Sequence, residues 1–255
     1  MTTQVQIDGP DGAPPLLLLP GTAASPRSWD PLVPLLTGAH RVIRPDLIDG
    51  GRSADPEYYA IPEQARRAAA VLDGLGGASV TAVGHSAGGW VATALADQRP
   101  DLVGALALID SGPRMDAYIA PDLAIEPGLW SRLTDEEVRG LLGHAFGPGY
   151  EIPAWVLDEL RQMTFEAFAA ASQAGRAYVA EKAIPSRLTA LGKPVLVIFG
   201  EEDRRWHAPA SIAGYREVPG ARVEPLPGTG HSPNLEAPER TAELLLAFTA
   251  ALPAP

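Results

Sequence analysis

The alternation of short apolar runs with helix-patterned stretches most constrains what this 255-residue chain can fold into. Thr2–Asp8, Pro15–Pro20, Arg41–Arg44, Val80–Val83, Leu102–Ile109, Pro194–Phe199 and Arg222–Leu226 each read as a strand. Between them, Ala65, Ala68, Ala69 and Leu72 recur at helical spacing inside a stretch from Pro62 to Leu75. Further helices are predicted over Trp29–Leu36, after Gly88 to about Gln98, from His207, and from Pro238 to Leu252. Strands joined through helices run parallel, and strands buried on both faces are apolar throughout. The pattern predicts an α/β fold, a mostly parallel central sheet flanked by helices.

The rhythm breaks between Gly112 and Leu191. Helical patterns such as Val156, Leu160, Met163 and Ala167 continue there, without a strand-like run. Because this stretch falls between two sheet strands, it is expected to be an insertion, a helical cap over residues 112–191. The core is then residues 1–111 and 192–255. Length alone allows one large domain or two small ones. A composition of 46% hydrophobic and 20% charged residues suffices for a full core and argues against disorder.

The formal charge is −11, and no Lys/Arg-rich run offsets it locally, which argues against nucleic-acid binding. Lys182 and Lys193 are the only lysines among 20 basic residues. The chain has no cysteine, which excludes disulfides, thiolate metal sites and cysteine nucleophiles. The first basic residue is Arg27, and the run Leu16–Leu19 is far too short to span a bilayer. A soluble cytoplasmic protein is expected, with monomer and homodimer equally open.

Gly84-His85-Ser86-Ala87-Gly88 fits G-x-S-x-G, with an apolar strand before it and a helix former after it. In that context a sharp strand-to-helix turn lifts the Ser86 hydroxyl above the sheet at a helix N-terminus. A glycine-rich turn can also carry its serine merely as a helix cap. The flanking pattern favours the nucleophile.

Serine needs a base, normally histidine. His40 opens a strand, His85 sits beside the serine, His144 falls in the insertion and His207 begins a helix. His231 alone lies in a turn-rich loop, Gly228-Thr229-Gly230-His231-Ser232-Pro233, after the last strand. It is the predicted base. Asp203 is the preferred acid partner, with Glu201, Glu202 and Asp110 as competitors. Backbone N–H groups of Ala87 and Thr22 are the expected oxyanion hole. His207 with Asp203 and Glu201 is the one grouping with a metal-like composition, but it lacks H-E-x-x-H spacing. Neither a metal nor a cofactor is predicted.

The chain resembles the α/β-hydrolase superfamily, its lidded group with a serine nucleophile. The resemblance rests on LLLLPGTAAS, VIRPDLIDGGRS, VGHSAGG, LALIDS, VLVIFGEEDRRW and GTGHSPNLEAPE, in that order along nearly the whole chain. It implies a triad of Ser86, Asp203 and His231, with Ala87 and Thr22 as the hole. One departure is Pro20-Gly21, where members usually carry His-Gly.

The resemblance implies a serine hydrolase acting on a carboxylic ester, lactone or thioester through an acyl-enzyme. On the same triad it also admits a cofactor-free perhydrolase, a C–C bond hydrolase or a natural-product tailoring enzyme. A hydrolase-fold binding protein with little turnover is a further alternative. Epoxide hydrolases and haloalkane dehalogenases need an aspartate where Ser86 stands. Trp130, Phe146, Trp155, Met163, Phe165 and Phe168 are the large apolar candidates for substrate contact, which points to a hydrophobic small-molecule substrate. No cationic cluster lies near the triad segments. Arg204 and Arg205 are the exceptions, each read more readily as solvated.

Overall fold

Leu17 and Leu19 pack into one layer of helices, while Leu16 and Leu18 pack into another on the opposite face. All four are fully buried, and each burial contributes about 2 kcal/mol. This two-sided burial is why the strands read as apolar runs. The computed structural model describes residues 3–121 and 125–253. Its strands are β1 (Val5–Asp8), β2 (Pro15–Leu19), β3 (Arg41–Pro45), β4 (Val80–His85), β5 (Val103–Ile109), β6 (Val195–Gly200) and β7 (Arg222–Leu226). They form a seven-stranded sheet in the order β1-β3-β2-β4-β5-β6-β7. Only β1 runs antiparallel to its neighbour, with Val5 opposite Pro45. Thr2, expected in the first strand, lies outside the described residues.

The helices are α1 (Val33–Leu36), α2 (Ile61–Gly74), α3 (Ala87–Gln98), α4 (Asp135–Leu142), α5 (Ala154–Gln162), α6 (Phe165–Glu181), α7 (Ile184–Leu191), α8 (Ala208–Arg216), α9 (Pro233–Glu236) and α10 (Pro238–Ala250). Residues of α2, α3, α7 and α8 share the core layer of Leu17. Those of α10, with Trp29 and Leu32, share the layer of Leu16. The helix expected over Trp29–Leu36 is instead a tight turn at Pro26–Trp29 followed by the single turn α1. Pro31 and Pro34 supply no backbone N–H, so a continuous helix across them loses its hydrogen bonds.

Chain order reverses between β2 and β4: β2 leads outward to β3, and β4 then returns to the other side of β2. The carboxyl ends of two such strands flank a crevice, where open α/β sheets place ligands. Between β5 and β6 the described residues form helices, from α4 through α7. Of these, α4, α5 and α6 line a cavity at that crevice, whereas α7 packs against α3 in the core layer.

Candidate active site

Ser86 sits between β4 and α3 with φ 51° and ψ −120°, a left-handed backbone that side chains rarely adopt. Such a conformation costs on the order of 1–3 kcal/mol and persists only where neighbours enforce it. Here they do. Its N–H donates to the Ile109 carbonyl (2.8 Å), and its own carbonyl accepts from Gly89 N–H (3.0 Å) and Ser111 Oγ (2.7 Å). The glycines are required by contact: a Cβ on Gly84 would lie 2.2 Å from the Gly88 carbonyl carbon. One on Gly88 would lie 2.0 Å from the Leu19 carbonyl oxygen.

His231 follows β7 and is 2% exposed. Its Nε2 lies 3.0 Å from Ser86 Oγ and its Nδ1 lies 2.8 Å from Asp203 Oδ2. Asp203 Oδ1 accepts the backbone N–H groups of Arg205 (2.7 Å) and Trp206 (3.1 Å). Of the three adjacent acids, then, Asp203 is the one turned inward; Glu201 and Glu202 are exposed. Burial works against the Asp203 carboxylate. The His231 imidazole beside it, with the hydrogen bonds it accepts, nevertheless holds it below the usual range.

Asp110, at the end of β5, is fully buried, and both its oxygens accept the Gly200 N–H (3.0 and 3.2 Å). Burial, reinforced by the neighbouring charge of Asp203, pushes its carboxyl well above the usual range. The raised Asp110 thus favours its protonated form, hydrogen-bonded to Asp203, and the lowered Asp203 favours the charged form beside the imidazole. Asp110, Asp203 and His231 offer ligand atoms all within 4.8 Å of one another. A cation there would compete with the 2.8 Å hydrogen bond between Asp203 and His231. Hydrogen bonding already accounts for this group.

The other histidines have separate tasks. Burial, and then the charge of His231, lowers the His85 pKa to about 3, so it is neutral. Its Nε2–H donates to the His231 carbonyl (2.7 Å), bracing the loop that carries His231. His40 bridges the Pro14 carbonyl and Thr249 Oγ1. His207 caps α8, apart from the metal-like grouping read in the sequence. His144 lines an outer chamber.

Above Ser86 is an inner cavity of about 110 Å³. Trp130, Phe146, Trp155 and Phe168 line it, as do Thr22, Ser86 and His231. Met163 and Phe165 do not. Met163 packs against Gly51 and Tyr59, and Phe165 packs edge-on against Trp130 while facing the outer chamber. The oxyanion-loop candidate lies directly on the nucleophile: a Cβ on Gly21 would lie 3.1 Å from Ser86 Cβ. Ala23, with φ 60°, bends that loop. Ala87 begins α3, so its N–H points out of a helix N-terminus beside Ser86.

One residue of this site went unassigned in the sequence. Glu236 Oε2 accepts the N–H groups of Gly147 (2.8 Å) and Gly230 (2.9 Å), and its Oε1 accepts Ser232 N–H (2.9 Å). One carboxylate thus ties the helical insertion to the loop of His231. An acid one turn into a helix that opens with Ser-Pro was its only sequence signal.

Residues 16–244 match the alpha/beta hydrolase family. An uncharacterised protein of Mycobacterium tuberculosis is 29% identical over 259 residues, covering 92% of this chain and 75% of that protein. Over 112 residues the chain is 38% identical to lipase LipV of the same organism, covering 44% of this chain and 42% of LipV. The enol-lactonase of Burkholderia xenovorans superposes with a TM-score of 0.79 at 22% identity, covering 97% of this chain and 96% of that one. The last likeness is one of fold. The match across residues 16–244 makes this chain a member of the alpha/beta hydrolase family.

Proposed function

We propose that this protein is a serine hydrolase that cleaves a carboxylic ester, lactone or thioester through an acyl-enzyme. The observation that carries the reading is the hydrogen-bonded series from Ser86 Oγ through His231 to buried Asp203, opening on an apolar cavity. His231 Nε2 takes the hydroxyl proton as Ser86 Oγ bonds to the carbonyl carbon. The same nitrogen then returns that proton to the departing alcohol or thiol. Water enters with His231 again as base, and Ser86 leaves with the proton on its oxygen. Asp203 accepts Nδ1–H throughout, fixing the tautomer and stabilising the imidazolium.

Ala87 N–H and Thr22 N–H are assigned to the oxyanion, aided by the N-terminus of α3. Residues 112–191 act as the cap that excludes water, and Trp130, Phe146, Trp155 and Phe168 receive the apolar part of the substrate. The lipase and enol-lactonase names of its relatives agree with ester chemistry.

Hydrolysis of p-nitrophenyl butyrate by wild type and Ser86→Ala tests the proposal. The variant is expected to lose about 10⁴-fold or more in kcat/KM while its melting curve is kept. Wild-type activity in Ser86→Ala overturns the serine mechanism.

A further inference from the structure

The outer chamber, about 670 Å³, shares Leu141, Phe168, Ser172 and Arg205 with the inner cavity, so the two are neighbouring compartments of one cleft. Their walls differ. The inner one is mostly apolar, with Glu159 on its wall, whereas the outer one adds Arg176 from α6 to the shared Arg205 from the loop after β6. Most arginines of this chain reach a carboxylate, as Arg44, Arg99 and Arg161 do. Among the described residues, the side chains of Arg176 and Arg205 have neither an ion pair nor a hydrogen bond. In a protein of charge −11, Arg176 and Arg205, both half-buried, face one chamber whose lining holds no acid among the described residues, a local reversal of sign there.

The position of Arg205 is set by the catalytic machinery. Its N–H donates to Asp203 Oδ1, and its carbonyl accepts the N–H groups of Ile119 (2.9 Å) and Ala120 (3.2 Å). Its positive charge is felt at His85, on the wall of the inner cavity. Arg205 lines the inner cavity together with Ser86, so a group that it holds sits in the same cleft as the serine.

We propose that Arg205 and Arg176 form an anion subsite, and that the natural substrate is an ester, lactone or thioester bearing a carboxylate remote from the scissile bond. The proposal rests on the serine-hydrolase reading. A carboxylate matches the guanidinium fork, and Ser172 and Gln173 on the same wall offer neutral donors. Arg205 was one of the two exceptions noted beside the triad segments, and this role replaces its reading as a solvated charge. Arg176 could not have been found there, because it is 29 residues away from Arg205 on another element.

The test compares mono-(4-nitrophenyl) glutarate with its methyl-capped diester, using wild type, Arg205→Gln, Arg205→Lys and Arg176→Gln. The expected charged-to-neutral ratio of kcat/KM is above one in wild type. It falls about tenfold in each Gln variant, with the loss in KM, and is partly restored by Arg205→Lys. Added salt raises KM for the charged ester selectively. A ratio below one in wild type, or one indifferent to both Gln substitutions, overturns the subsite. Should wild type hydrolyse neither ester, the serine reading fails and calorimetry decides the subsite separately. Tighter binding of monomethyl glutarate than of dimethyl glutarate, lost in Arg205→Gln, upholds it; equal binding overturns it.

Discussion

The sheet edge and the helical cap meet at the same cavity but are held by different forces. At the edge, backbone groups and glycines decide position: Ser86 is held by Ile109, Gly89 and Ser111, and Asp203 by two amides. In the cap, aromatic packing decides it. The Trp130 ring lies 5.6 Å from Phe165 and 5.1 Å from Phe168, and its Nε1–H donates to the Met163 carbonyl. Directional bonds fix atoms to tenths of an ångström, as proton transfer needs. Apolar contacts fix a volume, which many side-chain sets can fill. On the proposed function, the edge would therefore specify chemistry and the cap what fits.

That contrast breaks most visibly at Asp203. Asp203→Asn is expected to lower kcat/KM on p-nitrophenyl butyrate by about 10⁴-fold with little change in stability, because an amide can hold the imidazole in the wrong tautomer. A loss smaller than tenfold would place the working acid elsewhere. Trp130→Ala should do the opposite: lower unfolding stability in urea by about 3–5 kcal/mol and raise KM, with kcat nearly kept. Equal losses in kcat and kcat/KM would show that the cap also positions the reacting atoms.

The smallest effect sharpens the comparison. The folded Asp110 carboxyl keeps a proton that the unfolded one loses above about 3.8, so its contribution to stability is lost as pH rises toward its raised value. Asparagine has no such proton to lose. Asp110→Asn is thus expected to gain on wild type in melting temperature by a few degrees as pH rises above about 4. Asp203, with a lowered value, loses its contribution only as pH falls below 3.8, so the two windows do not overlap. An unchanged difference between variant and wild type across the range would mean that Asp110 is ionised in the fold.

Legibility in the sequence followed the range of the interaction. The strand, turn and helix around Ser86 are contiguous, and their glycines act on near neighbours, so a local pattern revealed them. Asp203 was separated from Glu201 and Glu202 only by the direction of a loop, set by the amides of Arg205 and Trp206. Met163 and Phe165 carried the same apolar signal as Phe168, because helical spacing records burial and not the compartment reached. Glu236 was hidden for a third reason: its partners Gly147 and Gly230 meet only in the folded chain.

Glu236 also bears on how freely caps can be exchanged among proteins of this architecture. A Cβ on Gly230 would lie 2.1 Å from Gly147 N, and one on Gly147 would lie 2.8 Å from Glu236 Oε2. A transplanted cap without glycine at that point would collide with the loop that carries His231 and strand the carboxylate without its donors. Gly147, Gly230 and Glu236 form one structural unit, and a chimaera has to cut the chain on either side of all three.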